Sequence, residues 1–318
     1  MAITLEEAKK NVQDDLQLGV IDEFQKSNWI LEHIPFDDAV SPTGGGATPS
    51  YSYTRLKTQP TAGFRAINTE YTPSEVTKER HTVEIKVFGG AYEIDRVIAN
   101  MGGIVSEVEL QQAQKIKAAQ ALFNDTFVNG DSAQDAKAFD GLEKALTGSD
   151  TEYNTAGTID LSTSELVTKN YQYFLDMLDE FLGGLDGTPS FIAGNTKLIA
   201  KLRACARRAS MYQTTMDNWG NQVESYAGIP FIDLKTKPGT NTDVVPTDGA
   251  RGTTSLYVAR LAMDGLHAVS LAGTSPVQTW LPDFSTAGAV KKGEVEMNAA
   301  IALKASKAAG VFRNIKVK

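Results

Sequence analysis

The chain has 318 residues, 42% apolar and 22% charged, with 31 basic against 39 acidic side chains and a formal net charge of −8. That length exceeds one ordinary hydrophobic core, so two domains are expected, and the acidic balance argues against a surface built throughout to grip nucleic acid. No apolar run approaches the roughly 18 residues of a membrane helix, the start MAITLEEAKK lacks the apolar core of a signal peptide, and the single Cys205 excludes an internal disulfide or a cysteine-rich metal site.

Residues 1–34 read as an amphipathic arm. Leu5, Val12, Leu16, Val20 and Phe24 recur at patchy helical spacing among acids and amides, and Trp29, Ile30, Leu31 and Ile34 follow just before Pro35. The arm has no partner within itself. It lies either on its own domain or across a neighbouring subunit, since arm exchange is an inexpensive link between protomers. Residues 41–80 open on a flexible run, SPTGGGATPS. Strands are predicted at 51–57 and 64–69, with turn residues Pro60 and Gly63 between them, and a charged stretch closes the region at 75–80. A two-stranded excursion with so few large aliphatics cannot bury its own core. It is either a surface hairpin or an extended loop that docks on another chain.

Val83, Ile85 and Val87 then alternate with Thr82, Glu84 and Lys86, as in a half-buried strand. Gly89-Gly90 permit a bend or bulge before the strand resumes to residue 94. Residues 104–128 read IVSEVELQQAQKIKAAQALFNDTFV, without Pro or Gly and rich in strong helix formers. Glu107 and Glu109 suit the positive end of the helix dipole. Ile116, Ala119, Leu122, Phe123 and Phe127 supply one apolar stripe, and Asn129-Gly130 provide the stop. This helix is the spine of the chain. A polar, Gly-rich stretch follows at 129–160, with a short helix at 142–146, and the domain boundary is placed there.

Residues 161–285 read as an α/β domain. A capping box of Ser162 and Glu165 opens a helix with Leu166, Tyr171, Phe174, Leu178 and Phe181 on its apolar face. SFIA at 190–193 is a short buried strand, and Asn195 or Thr196 caps the next helix. That helix turns Leu198, Ile199, Leu202 and Ala206 inward and carries Lys197, Lys201, Arg203, Arg207 and Arg208 on its other face. YAGIPFIDL at 226–234 is a turn and strand. Residues 255–262 and 266–271 read as a hairpin about Asp264-Gly265. Near the end, Val295, Met297, Ala299, Ile301 and Leu303 give the longest alternation in the chain, continued by Val311, Phe312, Ile315 and Val317. The strand at 82–94 is its expected partner, which makes the second domain an insertion between spine and final strand.

Catalytic motifs are absent: the chain has no HExxH, GxSxG, GxxxxGK[ST] or GxGxxG. His33, His81 and His267 lie in separate segments, none at metal-ligand spacing, and read as structural or surface residues. Asp131, Asp135 and Asp140 miss the calcium-loop pattern and read as a solvated turn. The basic helix face reads as a solvated face or as a contact to acids such as Asp176, Asp179, Glu180 or Asp217 of another subunit.

Arm, hairpin, strand into spine helix, inserted α/β domain and returning strand together resemble the major capsid proteins of tailed double-stranded DNA bacteriophages, with the Hong Kong 97 phage-type fold. FNDTFVNGD followed by FDGLEKAL resembles the family's helix end and next turn, YAGIPFIDL its GxP strand, and SLYVARLAMDGLHAVS its late hairpin. The resemblance spans nearly the whole chain and rests on the shared order of the parts. It implies an α+β fold with an N-terminal arm (1–40), an extended loop (41–80), a peripheral domain (81–160 and 291–318) and an axial domain (161–290). It further implies pentamers and hexamers tiling an icosahedral shell around double-stranded DNA, without sequence-specific binding, cofactor, metal or membrane. A separate scaffolding protein and a portal are expected partners, the virion the expected location, and the host cytoplasm the site of assembly.

Inter-subunit contacts are expected at Trp29, Tyr51, Tyr53, Arg55, Lys57, Phe64 and Arg65, and at Lys197, Lys201, Arg207 and Arg208. Some family members cross-link a loop Lys to a neighbour's Asn. Lys57 lies in the matching loop, but no Asn or assisting acid matches, so no cross-link is expected. An encapsulin, which is a bacterial enzyme-storing shell on the same fold, is the alternative reading. An α/β enzyme and another virion protein follow it.

Overall fold

The computed structural model describes residues 29–40, 49–101, 106–211, 213–216, 222–273 and 275–318. The arm before Trp29, the glycine run at 41–48, the first residues expected of the spine helix and Asp217 lie outside them.

Helix α1 (Trp29–His33) leads to β1 (Phe36–Val40), the hairpin strands β2 (Ser50–Leu56) and β3 (Lys78–Glu84), β4 (Lys86–Asp95), the turn α2 (Arg96–Ala99) and the spine helix α3 (Glu107–Asn129). Then come α4 (Leu142–Leu146), β5 (Glu152–Asp160), α5 (Ser164–Gly183), β6 (Phe191–Gly194), α6 (Thr196–Arg208), β7 (Gln213–Met216), β8 (Gln222–Tyr226) and β9 (Ile229–Asp233). The chain ends with β10 (Thr253–Ala259), β11 (Leu266–Leu271), β12 (Val277–Trp280), β13 (Val290–Leu303) and β14 (Ala309–Lys316).

One sheet is organised on β13. The alternation read near the C-terminus makes it the longest strand, and it pairs antiparallel with β4 from Val290↔Asp95 to Ala299↔Lys86, the expected partnership. Its other edge carries β12 and β11, and β1 adds in parallel to β11. The register with β4 runs unbroken through Gly89-Gly90, so no bulge sits there. Gly89 is needed for close approach instead, since a Cβ would lie 2.0 Å from the Val295 carbonyl oxygen. The irregularity comes earlier, at Ile85, between β3 and β4. Ile85 is buried, but Val87 beyond it is 61% exposed, so the expected inward face of 83–87 switches there and Phe88 takes the inner side. The reason is a change of partner: β3 pairs with β2, β4 with β13.

The spine helix lies on β4 and β13 and buries Ala119, Phe123 and Phe127. It ends at Gly130, where a Cβ would meet the Phe139 carbonyl oxygen at 2.2 Å.

The second sheet runs β5-β14-β10-β6-β9-β8-β7. Phe312, Ile192, Leu256 and Val258 on one face pack against Phe174, Leu178 and Phe181 of α5 and Leu198 and Leu202 of α6. Phe191, Ala193, Tyr257 and Val311 on the other face join Phe127, Leu142 and Ile34 in a core that continues to Met297 and Val269 of the first sheet. Central strands covered on both faces are therefore buried without alternation. Two large cores form among the described residues, as the length suggests, beside a small cluster at Ile94 and Ile98, but one of the large cores spans both sheets.

Three further expectations change. β5 and β14, assigned by sequence to the first domain, lie in the second sheet, where Phe312 fills the space between Tyr153, Phe174 and Phe181. The two strands expected at 255–262 and 266–271 form as β10, which ends at Ala259, and β11, but they belong to different sheets, so Asp264-Gly265 turns the chain between sheets and closes no hairpin. The α5 cap is Thr163, which accepts from the Leu166 N–H, because Ser162 is held by the Asp160 carboxylate. Asn195 caps α6 as read, accepting from the Leu198 N–H.

Candidate assembly surfaces

The hairpin has a root fixed to its own chain and a tip that touches nothing else described. Along β2, Tyr51, Tyr53 and Arg55 are half-buried while Ser52, Thr54 and Leu56 are exposed, the period of a strand laid on a surface. The Tyr51 phenol donates to Asp37 Oδ2 at 2.8 Å, and the Tyr53 phenol donates to the Leu303 carbonyl at 2.7 Å. The Arg55 guanidinium donates through Nε to the Lys304 carbonyl at 2.8 Å and through Nη2 to that of Leu303. Its carbon lies 5.5 Å from the Tyr53 ring centre, and His81 of β3 stacks on that ring. Burial raises the Tyr53 phenol above its ordinary value, so it stays a donor.

Beyond Leu56 no regular strand continues, and the strand expected at 64–69 does not form. β2 pairs with β3 instead, with Tyr51 opposite Val83 and Tyr53 opposite His81. The two legs stay joined by the Lys57 N–H to the Thr77 carbonyl at 2.8 Å, the Thr58 and Thr77 hydroxyls at 2.8 Å, and the Thr61 N–H to the Ser74 hydroxyl at 3.0 Å. A turn at Ala66–Thr69, with Asn68 at φ 69°, makes the apex. Every residue from 56 to 80 is exposed, Lys57 and Arg65 among them. Phe64 is fully exposed, Ile67 is 90% exposed and Tyr71 63%, with the Arg65 guanidinium 5.4 Å from the Tyr71 ring centre. Phe64, Ile67 and Tyr71 thus form a dense exposed apolar group at the tip, the kind of patch that makes it a candidate interaction surface.

The other named residues are placed differently. Trp29 stacks on His33 at 4.0 Å and meets Phe191 edge-on at 5.6 Å, so its ring rests on its own core. On α6, Lys201 donates to the Ser162 carbonyl at 2.6 Å, Arg203 pairs with Glu224, and Arg208 reaches the hydroxyls of Ser164 and Thr168 at 3.0 and 3.1 Å. Lys197 and Arg207 are exposed. Asp179 and Glu180 accept the phenols of Tyr226 and Tyr153. Burial pushes the Cys205 thiol up to about 11, which keeps it protonated and inert.

Sequence reading missed a cavity of about 580 Å³ between β4, the end of α3 and the following loop, lined by Val87, Phe88, Leu122, Asp125, Asp135 and Phe139. Its only sequence signal is the exposed Val87, hidden by the alternation it belongs to. Among the described residues, no group of three or more His, Cys, Asp or Glu side chains could hold a metal ion, and no helix is long and apolar enough to cross a membrane.

No family model and no curated protein sequence matches the chain. Solved structures do. The holo-SrpI encapsulin complex from Synechococcus elongatus PCC 7942 superposes at a TM-score of 0.66 with 14% identity, over 100% of this chain and 98% of that one. The capsid of the native GTA particle gives 0.59 at 10% identity, over 98% and 97% of the two chains. The capsid of Myoviridae phage XM1 gives 0.57 at 11%, over 95% and 97%. Full-length superposition on phage capsids and on an encapsulin shows that this chain has the Hong Kong 97 phage-type capsid fold.

Proposed function

We propose that the chain is the shell subunit of a phage capsid, assembling as pentamers and hexamers into an icosahedral container for double-stranded DNA. The observation that carries the reading is the hairpin: a root fixed by named bonds and an apolar tip that the described residues leave bare. From Ser50 to the apex the leg can extend up to about 50 Å, so the tip reaches a neighbour. A tip seated on a different surface of the next copy is a heterologous contact, and such contacts form rings when the rotation between copies closes. The five-stranded sheet with the spine helix then serves as the peripheral domain and the seven-stranded sheet with α5 and α6 as the axial domain. Trp29, Tyr51, Tyr53 and Arg55 shape the contact from within, while Lys57, Phe64, Arg65, Lys197 and Arg207 face the neighbour, with Lys201 and Arg208 beside them. The acidic balance suits a wall that encloses DNA without binding it tightly. A scaffolding protein and a portal complete assembly, in the host cytoplasm, toward a virion. The subunit carries no catalytic role.

A second reading, an encapsulin-type compartment, is favoured by the higher TM-score of the SrpI superposition. Electron microscopy and light scattering on the chain, expressed alone and with the products of genes flanking its own, test both. Closed shells or rings of five or six support a shell subunit; nucleic acid inside favours the capsid and packaged protein the compartment. A chain that stays monomeric or dimeric with every flanking product present overturns both. Deleting residues 50–73 abolishes shells on this reading, and intact shells from the deletion overturn the role given to the hairpin.

A further inference from the structure

Beneath the hairpin root lies a histidine that the shell reading does not use. His267, on β11, is fully buried, and neither Nδ1 nor Nε2 has a hydrogen-bond partner among the described residues. A buried polar group left unpaired opposes folding, and such orphans call for an explanation. The Asp37 carboxylate on β1 holds its Oδ2 3.9 Å from Nε2 and already accepts the Tyr51 phenol at 2.8 Å. The Tyr51 ring covers the imidazole edge-on, with centroids 5.7 Å apart. Lys304, just after β13, holds its Nζ 5.4 Å from the centre of that ring. These three groups face His267 from the elements packed on it. Tyr53, with Arg55 and His81 against it, forms the next layer.

We propose that His267 is a proton-binding site that latches the hairpin root: the neutral ring keeps β2 docked, and the protonated ring draws Asp37 away from Tyr51, admits water and releases the root. Burial first, and the Lys304 charge second, push His267 down to about 4, while Asp37 acts in the opposite sense. With the root lifted, the ring meets water and returns toward its ordinary value of 6.5. The lifted state then binds more protons, so docking is strongest above pH 6.5 and weakens as the pH falls toward 4. That interval shifts the docking equilibrium by at most about 300-fold, tenfold for each pH unit. The latch belongs to the isolated chain and stands whether or not the shell reading does.

Hydroxyl-radical footprinting of the full-length chain from pH 7.5 to 4 tests it, with Tyr71 as the exposed standard and Tyr226 as the buried one. The expected result is oxidation of Tyr51 and Tyr53 that rises severalfold below pH 6.5 toward the Tyr71 level, while Tyr226 stays protected. His267→Gln, which keeps a polar side chain and cannot take the proton, is expected to flatten the profile. Asp37→Asn keeps an acceptor for Tyr51 but removes the anion that favours the imidazolium, so it moves the midpoint to lower pH. A wild-type profile that is flat, a His267→Gln profile that rises like wild type, or an Asp37→Asn midpoint that does not move overturns the latch.

Discussion

In the seven-stranded sheet, β6 is buried along its whole length and β10 from Leu256 onward, with helices on one face and a shared core on the other. In the hairpin, every residue from 56 to 80 is exposed, large apolar side chains included. Both segments carry strand-like sequence, so propensity does not separate them. What separates them is the supply of covering surface. The sheet finds its cover within the chain; the hairpin from 56 to 80 finds none among the described residues. The two regions therefore predict opposite couplings between stability and assembly, and substitutions can be ordered by how strongly they test that contrast.

The largest effect on stability is expected at Phe312, which is fully buried and touches the rings of Tyr153, Phe174 and Phe181. Phe312→Ala should lower the unfolding free energy by about 3–5 kcal/mol, from lost transfer and a residual cavity. Chemical denaturation of the unassembled chain measures it, and a loss below about 1 kcal/mol would mean that the sheet tolerates a hole where close packing forbids one. Next is Arg313, which ties the sheet to α4 through Glu143 at 2.9 Å and the Thr147 hydroxyl at 3.0 Å, and to the neighbouring strand β5 through Glu152. Arg313→Ala leaves the Glu143 and Glu152 carboxylates without their shared cation and should cost about 2–3 kcal/mol, less than a fully buried pair because both are partly exposed.

Glu152 adds a pH dependence to that network. Its carboxyl is held below the ordinary 4.5, first by the Gly148 N–H and then by Arg313, against the opposing effect of burial. A depressed carboxyl contributes stability that is present above its unfolded value and lost as the pH falls below it. Denaturation midpoints should therefore drop on acidification below pH 4.5, and Glu152→Gln should shrink that drop. An unchanged acid limb in the variant would place the acid sensitivity elsewhere.

The same contrast explains what could be read from the sequence. α6 announces itself through Leu198, Ile199, Leu202 and the Asn195 cap, because an amphipathic helix writes its own environment into its period. α4 is found at the predicted residues for the same reason. β5 could not be read: EYNTAGTID is a polar edge strand whose pairing with β14 rests on backbone groups. Nor could the destination of β14, since Val311 and Phe312 face two different cores and show no alternation. The hairpin was legible as an excursion too poor in large aliphatics to bury a core of its own, and its residues from 56 to 80 are exposed. Its root was not legible, because the acceptors for Tyr53 and Arg55 are the carbonyls of Leu303 and Lys304, and a carbonyl has no residue signature. The buried site under the root was equally silent, since His267 sits in LHAVSL like any strand residue.

A smaller effect is expected at the root. Tyr53→Phe removes one hydrogen bond to Leu303, leaves the Arg55 bond to the same oxygen, and should cost about 1 kcal/mol. Thermal unfolding of the unassembled chain measures it, and a loss above about 3 kcal/mol would make the root part of the core. The smallest effect on the chain, with the largest on its assembly, belongs to the tip. Phe64 and Ile67 contact no core, so Phe64→Ser combined with Ile67→Ser should change the unfolding free energy by less than about 0.5 kcal/mol. If a neighbour covers the tip, the same pair removes two buried apolar side chains at every repeat of the contact, each worth about 1.5–3 kcal/mol, and shell yield by electron microscopy should collapse. A stable variant that still forms shells would mean the tip is solvent-facing in the assembly as well. A variant that unfolds would mean that the bare surface of the chain is part of its core, which would erase the contrast between hairpin and sheet.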